Sequence, residues 1–133
     1  MWSDALPALS DGTLDDEKLR MYALIKESVP VGLGANAIGH ISLATFFAFK
    51  DDPVMRAWAT SRHFRKVTCI VSDEEFERAK EHPDFCIMTE DAIGDVEIAL
   101  GFKPRLKWPR FFRSLRLFGS HLQERKDENI LNR

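Results

Sequence analysis

"VPVGLGANAIGHISLATFFAF" (residues 29–49) sets three glycines and one histidine in an otherwise mostly apolar run. From Ala35 to Phe49 the run is long enough for a helix and apolar nearly all round, which predicts burial on more than one side. Gly32 and Gly34 stand at its entrance. They read either as a tight turn needing positive φ or as backbone N–H groups at a helix start that hold an anion or oxyanion. The spacing is neither a Walker loop nor a full dinucleotide fingerprint. The turn is the favoured reading.

Working outward, "KLRMYALIK" (18–26) reads as a short, largely apolar strand ended by "ESVPVG". Downstream, Asp52 as N-cap and Pro53 at the first helical position start a second helix, with Trp58 at core spacing from Val54 and Met55. "RKVTCIVS" alternates into a strand. In "SDEEFERAKEH", Ser72 caps a helix with acids in its first turn and bases near its end. "DFCIMT" and "VEIALGF" read as two further strands. The order β-α-α-β-α-β-β predicts an α/β layer protein with a mixed sheet of about four strands. Residues 1–17, acidic and aperiodic, are expected to be a mobile arm, 18–118 the domain, and 119–133 a polar tail.

The chain has 133 residues, 44% hydrophobic and 30% charged, ordinary values for one globular domain. Its apolar runs are interrupted before 18 residues and its start lacks a signal-peptide pattern, so the expectation is no membrane span and a cytoplasmic location. Cys69 and Cys86 sit in apolar stretches and read as small hydrophobes of a reducing compartment. Charge is unevenly spread: ten acids against two bases lie between Asp73 and Glu97, and six bases without an acid between Lys103 and Arg116. With Trp108, Phe111 and Phe112 interleaved, the basic segment reads as a phosphate-tracking surface or, preferably, as a solvated surface whose aromatics pack inward. No spacing suits zinc or a Ser/His/Asp arrangement, so no metal or cofactor is expected. His63 and His82 read as surface residues.

Three stretches together resemble the type-two peptidyl-tRNA hydrolase superfamily, as a divergent branch. These are the opening strand–glycine turn–helix with "GH", then "PVMRAWATSRHFRKVTCIVSDEEFERAK" (53–80), then "MTEDAIGDVEIALGFKP" (88–104) running to "LRLF" (115–118). The resemblance covers roughly residues 19–118 and implies a three-layer α/β/α sandwich, dimerisation, and hydrolysis of the ester joining a stalled peptide to tRNA. The chain departs from the family pattern. The glutamine position falls on Ala37, the turn lysine on or near Leu33, and the catalytic-loop threonine near Val96, beside Glu90, Asp91, Asp95 and Glu97. His40 and Thr89 match.

The candidate site follows from these residues. His40 lies one turn after Asn36, so a His–Asn pair on one helix side is placed to orient a water or bind a carbonyl; the alternative is a satisfied core histidine. Thr89 and Asp91 end a strand, where α/β proteins hold ligands, with Asp91 as a candidate base. Lys26 is the nearest cation to replace the missing turn lysine. A hydrolase of peptidyl-tRNA or a related acyl ester would use water positioned by His40 and Thr89 and an oxyanion held at Gly34. The rival reading, a binding or assembly module that kept the fold and lost the lysine, is favoured. A homodimer through the 35–49 helix or the Trp58 helix is expected. Weak RNA binding is expected too, because in the family-like fold the acidic and basic segments lie close enough to pair.

Overall fold

The central strand β1 (Arg20–Lys26) is buried from Met21 to Ile25, so both of its faces are covered. Met21, Ala23 and Ile25 pack toward helices α1 (Val31–Ala48) and α2 (Pro53–Thr60). Tyr22 and Leu24 pack with Phe76 and Ala79 of α3 (Asp73–Ala79) and with Trp108, Phe112 and Leu115 around α4 (Arg110–Arg113). The computed structural model describes residues 18–91 and 94–120. The arm expected over 1–17, and the tail beyond Ser120, lie outside the described residues.

The mixed sheet also contains β2 (Arg65–Val71), β3 (Phe85–Glu90), β4 (Val96–Arg105) and β5 (Arg116–Leu117), in the order β3-β4-β1-β2-β5. Parallel pairing of β1 with β2 needs a crossover, which α1 and α2 supply; the other pairings are antiparallel. The described residues form five strands, where the apolar runs predict about four; the fifth falls within "LRLF" (115–118), which the resemblance matches to a final strand. The fifth has two residues, which pair Leu117 with Cys69 and Arg116 with Ile70, too short to show a period of its own. A register shift between Met88 and Thr89 pairs Thr89 with Glu97 but Met88 with Ala99. Ile98 is the extra residue, and both Ile98 and Ala99 pack on the α1 side.

Helix α1 starts at Val31, four residues earlier than the sequence predicts. Gly32 and Gly34 lie within its first turns, and neither has the positive φ that a tight turn would need. Pro30 is the N-cap, and its carbonyl accepts the Gly34 N–H at 2.8 Å. The roughly 1 kcal/mol cost of a helical glycine relative to alanine is tolerated at Gly34, which is buried close to Ile25 and Phe118. Among the described residues α1 is not buried on several sides. Gly34, Ala37, Ile41 and Thr45 form one buried stripe, while Leu43 and Phe47 are 56% and 58% exposed.

The other helix starts follow their local signals. Asp52 accepts the Val54 N–H at 2.8 Å with Pro53 behind it, and Ser72 and Glu75 close a capping box on α3. Trp58 is core, its indole N–H donating to the Arg65 carbonyl. The aromatics of the basic segment pack inward: Trp108 and Phe112 are buried with ring centroids 4.8 Å apart, and Tyr22 lies 4.5 Å from Trp108. Burial, with the Glu75 charge adding to it, pushes the Cys69 thiol up to about 12, which makes it a core residue and not a nucleophile.

Candidate functional site

At the carboxyl edge of β1 and β2 the sequence-derived residues divide between two faces. Lys26 ends β1 with its ammonium 3.8 Å from the Asp73 carboxylate and 4.6 Å from the centroid of the Phe76 ring, so it is engaged with α3. Thr89, exposed at the end of β3, stands opposite Glu97, whose carboxylate is held by Lys80 of the α3 segment at 2.7 Å. Asp91 follows it, exposed, with its carbonyl accepting the Gly94 N–H. Asn36 and His40 belong to α1, which covers the opposite face, and both are exposed. His40 is therefore not the core histidine of the alternative reading. Nor does it share a face with Thr89, so the two are poorly placed to hold one water. The Gly34 N–H is spent on Pro30 and is not an oxyanion donor; Gly32 stays exposed in the first turn.

The opposite edge of the sheet is concave. A cavity of about 530 Å³ opens there, lined by Leu19, His82, Asp84, Lys103, Arg105 and Leu106 among others, a size that suits a small ligand. Lys103 is tied down within it, 2.9 Å from Asp52 and 3.5 Å from Asp84. Burial opposes the charges of this pair, but their mutual hydrogen bond and attraction win. The Asp52 carboxyl is held below its ordinary range and the Lys103 ammonium above its own. Asp84 adopts a left-handed φ of 64°, and its carbonyl accepts the Lys103 N–H. His82 is not a plain surface residue: it stacks on Phe111 at 5.8 Å and meets Phe112 edge-on.

Beside this cavity, sharing Leu106 with it, a cleft of about 320 Å³ is lined by Arg20, Lys107, Trp108 and Arg113. Arg105 caps the Trp108 ring at 5.5 Å. Burial, and then the Cys69 thiol, raise the Tyr22 phenol behind the cleft, while Arg20 and Arg113 pull it down. Among the described residues, the expected pairing of the basic segment with the acidic one is seen at Lys103 with Asp84, while Arg116 turns instead to Glu27 at 2.6 Å. Among the described residues, Arg20, Arg105, Lys107, Arg110 and Arg113 have no carboxylate within ion-pair distance. Of the α3 acids, Asp73 pairs with Lys26, Glu77 with Lys80, and Glu75 accepts the Ser72 N–H, so among the described residues none of them is within ion-pair distance of these cations.

Sequence reading missed Arg20 and the role of Lys103. Arg20 carries no local signal, because it becomes part of the cleft only when β1 pairs with β4. No protein-family model matches this chain, and no curated protein matches it in sequence.

Proposed function

We propose that this chain is a binding and assembly module on a type-two peptidyl-tRNA hydrolase-like, three-layer α/β/α fold, without full hydrolase activity, that associates as a homodimer through the outer face of α1. One observation carries the reading: α1 leaves Leu43 and Phe47 more than half exposed while its polar residues fall away from the other candidate catalytic groups. Helices on both sides of the sheet and the parallel β1–β2 pair support the layer arrangement.

The exposed side of α1 is self-complementary. Gly32, Ala35 and Gly39 lie exposed in its first half and Leu43 and Phe47 in its second. A two-fold, antiparallel approach of two copies sets the bulky residues of one against the small residues of the other, as an isologous contact requires. With a mean hydropathy of 1.3 over 18 residues, α1 is also long and apolar enough to cross a membrane. Its packing of Ile41 and Thr45 on Gly101 argues for a helix that belongs to the sheet, with protein and not lipid on its outer side.

Sedimentation equilibrium at tens of micromolar tests the dimer. The expected result is a dimer that Leu43→Glu with Phe47→Glu converts to a folded monomer. A wild-type monomer overturns the assembly. Co-flotation of wild-type protein with neutral vesicles, lost in the same variant, would assign the face to lipid instead.

A further inference from the structure

Beyond the assembly role, we infer that the cleft between Arg20, Lys107 and Arg113 is a binding site for a small phosphate-bearing ligand, its remainder lying in the adjoining cavity across Leu106. The inference rests first on charge placed against its own electrostatic interest. Arg105, Arg20 and Arg65 lie abreast on β4, β1 and β2, since Arg20 pairs with Arg105 on one side and with Arg65 on the other. Like charges directly opposite in a sheet are destabilising, and no described carboxylate relieves Arg20, Arg105, Lys107 or Arg113. A dianionic group seated among them removes that repulsion.

The second support is shape. The cationic cleft of about 320 Å³ adjoins a second of about 260 Å³ through Arg113, which lines both along with Arg110 in the latter. The floor is rigid: Trp108 is buried among Tyr22, Phe102 and Phe112 and donates its indole N–H to the Arg20 carbonyl at 3.1 Å. That bond ties the backbone of one cationic residue to the segment carrying the others. Arginine forks match phosphate oxygens in a paired geometry, and a lysine adds a point charge. A rigid cationic concavity is therefore built before any ligand arrives.

The same face disfavours a long polyanion. Helix α3, joined to α4 by Arg78 over the Phe111 ring, exposes Asp73, Glu74 and Glu77, and Glu81 follows it. A nucleic-acid backbone that reached beyond the cleft would meet these acids, with screening only over about 10 Å at 0.1 M salt. A mono- or diphosphate group does not extend that far.

Titration of the full-length protein with inorganic pyrophosphate at about 0.15 M salt, followed by calorimetry and by the NMR signal of the Trp108 indole N–H, tests the site. The expected result is saturable binding that shifts this signal and weakens about tenfold or more in Lys107→Gln with Arg113→Gln. Lys50→Gln, an exposed cation elsewhere, should leave the affinity unchanged. No saturation at millimolar pyrophosphate overturns the inference, as does equal weakening by Lys50→Gln or an unmoved Trp108 signal. A single-stranded RNA that binds more tightly than pyrophosphate, and is lost in the double variant, would make the patch a nucleic-acid surface and overturn the small-ligand reading. None of these outcomes depends on the oligomeric state.

Discussion

Thr45 of α1 rests directly on Gly101 of β4: a methyl group built on Gly101 would overlap the Thr45 hydroxyl and approach Cγ1 of Ile41 to 2.9 Å. The Thr45 hydroxyl is held in place by donating to the Ile41 carbonyl at 2.7 Å. The seating of α1 on the sheet thus depends on one residue without a side chain.

Gly101→Ala should lower unfolding stability by about 1–3 kcal/mol, the usual range for overpacking a core. Adding Thr45→Ala should recover part of the loss, because Ile41 still crowds the site. Denaturant midpoints of the single and double variants measure this. Full tolerance of Gly101→Ala would show that α1 is not seated this closely.

The Asp52–Lys103 pair predicts an acid-dependent contribution. A carboxyl depressed in the folded state stabilises above the unfolded pKa of about 4 and loses that contribution as pH falls through its lower folded value. Asp52→Asn keeps an N-cap acceptor but loses the ion pair. It should be less stable than wild type by under about 1 kcal/mol at neutral pH, with the gap closing in acid. A gap that stays constant from pH 7 to about pH 2 would show that the pair adds nothing to stability.

Hydrolysis of peptidyl-tRNA should be weak or absent, and His40→Ala should leave any residual rate unchanged, since His40 and Thr89 lie on different faces. A rate comparable to that of an authentic type-two enzyme, abolished by His40→Ala, would restore the hydrolase reading.

Arg20→Gln should raise the thermal midpoint at low salt by relieving Arg65 and Arg105, and the gain should shrink as salt is added. Scans at two ionic strengths test this. A loss of stability at low salt would mean that Arg20 has a structural role that outweighs the repulsion.

Much of this protein was legible locally. Asp52–Pro53 and Ser72–Glu75 mark their helix starts because capping is a matter of three or four neighbouring residues. The strands over 20–26, 65–71, 85–90 and 96–105 follow apolar runs, and Trp108 and Phe112 face inward, the reading preferred over a phosphate-tracking one. The start of α1 was not legible, because glycine's helix penalty is local while Gly34's packing against Ile25 and Phe118 is not. The two-residue β5 exists only through its pairing with Cys69 and Ile70. The separation of His40 from Thr89, the bulge at Met88/Thr89, and the row of Arg65, Arg20 and Arg105 are likewise products of pairing between distant segments. Periodicity reports which residues share a face of one element. Register and layer decide which elements share a face, and those are settled by burial and hydrogen bonding across the whole sheet.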